Sequence, residues 1–307
     1  MQYLYYPGCS LEGTAREYHA ATLAFMRVMG NELLELEDWT CCGASAAEGI
    51  STLLALSLSA RNLALAERQG GAGDLLVPCS ACYLNLKRVA VKIHGQEDLL
   101  DNLNRVLQDE NLRLKGSLKV RHLLDVLARD IGARALAEKV VRPLEGLTVA
   151  PYYGCQCLRP YPEFDDPEQP ASMAGLIRAT GARPLAWSMG ATCCGASHMN
   201  TKPQVGLELC GAILAAAQGA DAIATVCPMC QMNLEAYQKR ISRIRGKDLA
   251  VSVLYLPQLL GMAVGLTEEQ VQLDLNLAVL PALKAKLADC RTLNRGKTNS
   301  GEMADMR

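Results

Sequence analysis

Ten of the 13 cysteines in this chain fall into two copies of one pattern, and that duplication restricts what the chain can fold into. The first copy is Cys9, then Cys41-Cys42-Gly43, then Cys79 and Cys82; the second is Cys155, then Cys193-Cys194-Gly195, then Cys227 and Cys230. As spacings these read C-x31-CCG-x35-C-x2-C and C-x37-CCG-x31-C-x2-C. The flanks repeat as well. Tyr5-Tyr6-Pro7-Gly8-Cys9 is echoed by Tyr152-Tyr153-Gly154-Cys155, Thr40–Ser45 by Thr192–Ser197, and Asn85-Leu86 by Asn233-Leu234. A chain with such internal self-similarity is read as a repeat. The expectation is two homologous domains over 1–143 and 144–290, joined near Arg142–Gly146, with a polar, flexible tail over 291–307.

Half of the 307 residues are hydrophobic and 21% are charged, enough for an ordinary globular core. Lys+Arg is 31 against Asp+Glu 32, which argues against a nucleic-acid-binding domain. No basic leader precedes the first apolar run, so no secretory signal is expected and the expected location is cytoplasmic, with membrane association through partners as the variant of that reading. Thirteen cysteines, an odd number, in such a chain read as metal ligands or redox thiols rather than disulfides. The longest apolar stretches are cut by Arg61, Glu208 and Asp221, so no transmembrane segment is expected.

The cysteines fall at the ends of strand-like runs. Tyr3–Tyr6 and Leu147–Tyr152 lead into Gly-Cys, Leu33–Leu36 and Arg183–Trp187 toward the Cys-Cys pairs, and Asp74–Val77 and Ala222–Val226 into C-x2-C. Helical periodicity marks Thr14–Met29, Glu48–Gln69, Met173–Thr180, Pro203–Gln218 and Pro228–Arg243. Strand alternating with helix implies an α/β fold: two homologous domains, each a small, mostly parallel sheet flanked by helices. Ligands of such sheets bind at the carboxyl ends of the strands, where three chain-distant cysteine groups converge in each half.

Five sulfurs exceed the four that tetrahedral zinc takes. Adjacent cysteines suit one extended cluster better than one small ion. Iron–sulfur chemistry is favoured, with structural zinc and thiol–disulfide exchange as the alternatives. Each C-x2-C is expected to open a helix, whose amides and dipole favour thiolates. Gly43 and Gly195 are expected to let the backbone pass close to a bulky group.

With these motifs the chain resembles the B-subunit family of heterodisulfide reductase, tandem cysteine-rich CCG-domain proteins. The likeness runs from Met1 to Leu266 and includes Tyr153–Pro160, Glu163–Glu168 and Leu259–Ala263. The resemblance implies a non-cubane 4Fe–4S cluster on each five-cysteine set. Cys9, Cys41, Cys42, Cys79 and Cys82 would hold one; Cys155, Cys193, Cys194, Cys227 and Cys230 would hold the other. It further implies that the two homologous domains are pseudo-twofold-related, and that a disulfide enters between clusters facing across that contact and is split by one-electron transfers, or that thiols are joined by the reverse reaction. Implied partners are a small ferredoxin-like iron–sulfur subunit, a flavin-containing subunit, and a disulfide or thiol substrate such as carrier-bound lipoate. No flavin or nicotinamide fingerprint is present in this chain, so none is expected to bind here.

Candidate catalytic residues are fewer. Arg159 is a candidate anion partner, with a structural salt bridge as the competing reading; His198 is a candidate proton donor to a product thiolate, and Lys202 a looser anion contact. Cys157, beside Gln156 where other family members carry His, is either an extra redox thiol or ligand, or a packed small residue. Cys210 is read as core and Cys290 as a bystander; Asp165, Asp166 and Glu168 are read as fixing a loop or docking a partner. The competing function is a CCG-domain electron-transfer subunit that passes electrons to a quinone or protein partner without cleaving S–S bonds.

Overall fold

The computed structural model describes residues 1–44, 46–71 and 73–290; the expected tail at 291–307 lies outside the described residues. In the first half the elements are β1 (Gln2–Tyr5), α1 (Cys9–Glu12), α2 (Arg16–Val28), β2 (Glu32–Glu35), α3 (Thr52–Gln69), β3 (Leu75–Val77), α4 (Ser80–Lys92), α5 (Glu97–Leu107), β4 (Val120–His122), α6 (Leu123–Val126) and α7 (Gly132–Lys139). The second half runs β5 (Thr148–Tyr152), α8 (Ser172–Ala179), β6 (Arg183–Pro184), α9 (Pro203–Ala216), β7 (Ala222–Thr225), α10 (Pro228–Ala236), α11 (Gln238–Arg245), β8 (Ser252–Tyr255) and α12 (Leu256–Ala263). Residues 281–290 are also helical.

Each half is an α/β unit with one four-stranded sheet. The strand orders are β2-β1-β3-β4 and β6-β5-β7-β8, and every pairing is parallel. β3 and β7 are buried along their whole length, as strands covered by helices on both faces must be. In each sheet the order reverses between the first and third strands, which opens a crevice at their carboxyl ends. Cys9 and Cys79 flank that crevice in the first half, Cys155 and Cys227 in the second.

Several elements differ from the sequence expectation. β4 and β8 were not expected: they are three and four residues long, and His122 and Tyr255 at their ends already serve as N-caps of the next helices. β6 spans only two residues of the expected Arg183–Trp187 strand. The helix expected from Glu48 starts at Thr52, where the Ser51 hydroxyl accepts the Leu54 N–H, after a 3-10 turn at Ala47–Gly49. The helix expected over Pro228–Arg243 bends at Tyr237 and becomes two.

The halves join by reciprocal contacts. α12 of the second half packs on α2 of the first, and α7 of the first packs on α8 of the second. Tyr18 stacks on Tyr255 at 4.1 Å between ring centroids, and Phe164 stacks on His122 at 6.0 Å. Phe164 follows Tyr18 at the same sequence offset that separates Cys155 from Cys9, so the two stacks are equivalents across the pseudo-twofold. One hydrophobic cluster runs through both halves and includes Tyr18, Val77, Leu158, Phe164 and Tyr255.

Candidate functional site

The sheet topology brings all ten repeat cysteines to strand ends, five in each half. In the first half Cys42 and Cys82 sulfurs lie 3.4 Å apart, and Cys9 and Cys41 3.7 Å apart. Cys41 also contacts Cys42, and Cys82 contacts Cys79, so the five thiols form a connected series. In the second half Cys194 and Cys230 are 3.5 Å apart, Cys155 contacts Cys193, and Cys230 contacts Cys227. Cys79 and Cys227 cap the N-termini of α4 and α10, which places Cys82 and Cys230 in the first turn of each helix. All are free thiols.

The same small set of supports recurs on both sides. The Tyr6 hydroxyl donates to the Thr40 carbonyl at 2.7 Å, and the Tyr152 hydroxyl to the Thr192 carbonyl at 2.6 Å. The Asn85 amide donates to the Cys42 carbonyl at 3.3 Å, and Asn233 to the Cys194 carbonyl at 2.6 Å. Gly43 and Gly195 each donate their N–H to the sulfur two residues earlier at 3.4 Å. These bonds fix the Cys-Cys-Gly turns from outside the sulfur set.

Glycine placement differs from the sequence expectation. Gly43 and Gly195 do have positive φ, but a Cβ there would strike Leu58 or the Gly206 backbone, so their close approach is to the following helix. The glycines that pass the sulfurs are Gly8 and Gly154, with φ of 74° and 70°. A Cβ on them would meet the Cys82 and Cys230 sulfurs at 2.9 and 3.0 Å.

Thiol acidity follows from these contacts. The bond from Cys41, then that from Cys82, holds Cys42 down at about 3, while Cys41 and Cys82 are pushed up by sharing with it. In the second half the contact from Cys155 lowers Cys193 to about 6, helped by the charges of His198 and Arg159. Cys230 and the helix-start amides lower Cys227 to about 7 against its burial. Among the described residues no three His, Cys, Asp or Glu side chains are placed to hold a single metal ion. The donor set fits a group with several thiol attachment points: five sulfurs in one series in the first half, a pair (Cys155, Cys193) and a trio (Cys194, Cys230, Cys227) in the second, bare of side chain on the Gly8 and Gly154 sides.

Three sulfurs in each half are buried; the outer two open outward. Cys9 and Cys41 are exposed in a groove of about 690 Å³ bordered by Glu12, Glu35, Glu37, Asp38 and Trp39. Cys155 and Cys193 are half-buried in a groove of about 410 Å³ bordered by Gln156, Arg159, Glu168, Ser188 and Thr192. Between the sites lies a buried wall. The Tyr18 hydroxyl donates to the carbonyls of Pro78 at 3.0 Å and Val226 at 3.2 Å, the residues just before Cys79 and Cys227. The Ser80 hydroxyl reaches the Val226 carbonyl at 3.3 Å and lies 3.2 Å from the His122 ring.

The other candidates separate. Arg159 borders the second groove but is engaged, donating to the Ala191 carbonyl and pairing with Glu168 at 2.9 Å. His198 is exposed in the short turn Ala196–His198, close enough to lower the Cys193 thiol. Lys202 is exposed at the start of α9 and borders neither groove. Cys157 is wholly buried, its thiol donates to the Tyr153 carbonyl at 3.2 Å, and burial pushes it up to about 12. It stands where the first half has the buried Leu11, a packing position rather than an exposed redox one. Cys210 is buried within α9, and Cys290 is buried with its thiol near the Glu145 carbonyl. Asp165 and Asp166 accept backbone N–H bonds from 166 to 172 and so fix their own loop.

Residues missed by sequence reasoning are those of the wall: Tyr18, Ser80, His122 and Tyr255. The signal was present only as the matched offset of Tyr18 and Phe164. Asn85 and Asn233 were visible as an echo, without their role.

Among known proteins, the cysteine-rich domain family designated CCG matches residues 3–87 and 149–235. The chain is 34% identical over 280 residues to the 8-methylmenaquinol:fumarate reductase membrane anchor subunit of Wolinella succinogenes, covering 90% of this chain and 96% of that one. It is 27% identical over 276 residues to the B-subunit of the ferredoxin/F420H2-dependent CoB-CoM heterodisulfide reductase of Methanosarcina acetivorans, covering 88% and 91%. A crystal structure of a hypothetical protein from Helicobacter pylori shares the fold with a TM-score of 0.71 at 16% identity. The likeness covers 90% of this chain and about half, 52%, of that longer one.

Proposed function

The chain belongs to the family of tandem cysteine-rich CCG-domain proteins that includes the B-subunit of heterodisulfide reductase, and we propose that it is the subunit of an oxidoreductase complex that reduces a disulfide, or oxidises thiols, between two non-cubane 4Fe–4S clusters. The observation that carries this reading is the pair of equivalent five-thiol sets, each with an outer pair and a buried inner trio, on either side of one buried wall. Cys9, Cys41, Cys42, Cys79 and Cys82 are the proposed ligands of one cluster, and Cys155, Cys193, Cys194, Cys227 and Cys230 of the other. Bound there, the clusters would supply electrons one at a time, the unit that iron–sulfur centres handle.

The protein's own contribution is placement. Helix-start amides at Cys227 and the Gly43 and Gly195 N–H groups favour thiolate donors. Tyr6, Tyr152, Asn85 and Asn233 hold the Cys-Cys turns in position. Arg159, fixed by Glu168 and Ala191, orients an anionic substrate end at the second groove. His198 holds a proton for a product thiol beside Cys193, and Lys202 makes a looser anion contact at the edge of that side. Electrons come from a ferredoxin-like iron–sulfur partner and a flavin-containing partner. The domain division proposed is 1–143 and 144–290.

A second reading is favoured by one observation, the 34% identity to a membrane anchor subunit of a quinol-linked reductase. In that reading the chain passes electrons to a quinone or protein partner at the membrane surface without cleaving S–S bonds. No helix among the described residues is long and apolar enough to cross a membrane. Electron paramagnetic resonance of the oxidised, anaerobically prepared protein separates the two. A cluster signal that changes with an added thiol supports the first reading. Exchange with a quinone analogue and no response to any thiol selects the second.

A further inference from the structure

α10 and α11 share one exposed stripe. Met232, Lys239, Arg240, Arg243, Ile244 and Lys247 stand on it, all solvent-exposed. Lys239, Arg240, Arg243 and Ile244 stand on α11, Met232 on α10 before the bend at Tyr237, and Lys247 just past the Gly246 that ends α11. Between Gln238 and Lys247 the chain has five cations and no acid, although the whole protein carries a net charge of −1. Arg245 is paired with Glu208 at 3.1 Å. Lys239, Arg240, Arg243 and Lys247 have no side-chain partner among the described residues. Two large apolar side chains stand among them: Ile244 is 63% exposed and Met232 41%. Val205 on the adjoining α9 is 44% exposed.

α4 occupies the place of α10 in the first half. Its Lys87 pairs with Glu163 at 3.1 Å and its Arg88 with Glu48 at 3.0 Å. Its Lys92, at the sequence offset that matches Arg240, is exposed like Arg240.

We infer that the α10–α11 stripe docks on an anionic lipid surface, with Lys239, Arg240, Arg243 and Lys247 reaching the headgroup phosphates and Ile244 and Met232 entering the interface. Long flexible cations surrounding isolated apolar side chains suit a fluid, negatively charged boundary. The stripe begins two residues after Cys230 in the sequence. This inference deepens the membrane-side placement in the second reading above and rests on it for the choice of lipid as occupant.

Vesicle flotation of the full, anaerobically prepared chain tests it. Wild-type protein is expected to float with phosphatidylcholine vesicles containing phosphatidylglycerol, not with phosphatidylcholine alone, and to be released by high salt. The triple variant K239Q/R240Q/R243Q is expected to lose about a hundredfold in partitioning. Ile244→Ser is expected to lose roughly tenfold. The double variant R105Q/R113Q, neutralised at exposed positions on α5 and in the segment after it, is expected to bind as wild type. Equal iron content in all variants shows that they fold. Vesicle binding that the stripe variants leave unchanged overturns the stripe while sparing membrane association. No vesicle binding by the wild type overturns both. Loss of assembly with partner subunits, with vesicle binding intact, assigns the stripe to a protein contact and overturns the lipid assignment.

Discussion

Around the same outer pair of thiols, the two halves build different rims: one acidic, one neutral. Cys9 and Cys41 look into a groove bordered by Glu12, Glu35, Glu37 and Asp38. Cys155 and Cys193 look into one bordered by Arg159, with Glu168 as its carboxylate. Behind the rims the halves agree: matched sulfur pairs, matched tyrosine and asparagine bonds, matched glycines. Inner supports act on the sulfurs and stay paired; rims meet visitors and diverge. The first rim carries four carboxylates without a cation among them, and the second carries one paired cation, Arg159 with Glu168.

The largest expected effect comes from removing an inner thiol on one side only. Cys42→Ser is expected to abolish the first cluster and Cys194→Ser the second, each halving the iron and sulfide content. Retention of full content by either variant breaks the ligand assignment for that half.

Next is the wall between the sites. Tyr18→Ala and Phe164→Ala remove equivalent interdomain stacks and are each expected to cost about 3–5 kcal/mol in chemical denaturation. Tyr18→Ala should be the worse of the two, because its hydroxyl also serves both Pro78 and Val226. A cost from only one of them would show that the halves are not joined reciprocally.

The asparagines test the match of the two halves on a smaller scale. Asn233 is buried with a 2.6 Å bond, and Asn85 is partly buried with a 3.3 Å bond. Asn233→Ala is expected to cost about 1–3 kcal/mol and Asn85→Ala about 1 kcal/mol or less. Equal costs would mean that burial does not distinguish the two turns.

A further effect is a pH slope confined to one stack. Burial drives the His122 ring from 6.5 down to about 3, so it is neutral in the folded protein. The unfolded chain takes up that proton near 6.5 and the folded chain does not. Stability from this group therefore rises with pH between about 3 and 6.5 and is flat above. Tyr255 fills the equivalent place in the other stack and contributes no such slope. His122→Gln is expected to flatten the stability profile over that window; an unchanged profile would place the slope elsewhere.

Much of the site was legible in the sequence because ligand chemistry fixes residue type and spacing locally. The cysteine sets and their place at strand ends needed only the motif and a run such as Leu75–Val77. β4 and β8 were not legible, since a strand of three or four residues has too little periodicity to register. Nor was the bend at Tyr237, which no Pro or Gly marks. The wall escaped because Tyr18, Ser80, His122 and Tyr255 are brought together by packing between halves, and each alone reads as an ordinary core residue. Cys157 was ambiguous in the sequence; the fold adds that it is buried, at the position equivalent to Leu11 in the first half.

Whether each five-cysteine set holds one extended iron–sulfur cluster is tested most directly by iron and acid-labile sulfide per chain after anaerobic preparation. Two such clusters require about eight irons with matching sulfide, four per cluster, and that is the expected result. About two zincs and no labile sulfide would contradict it.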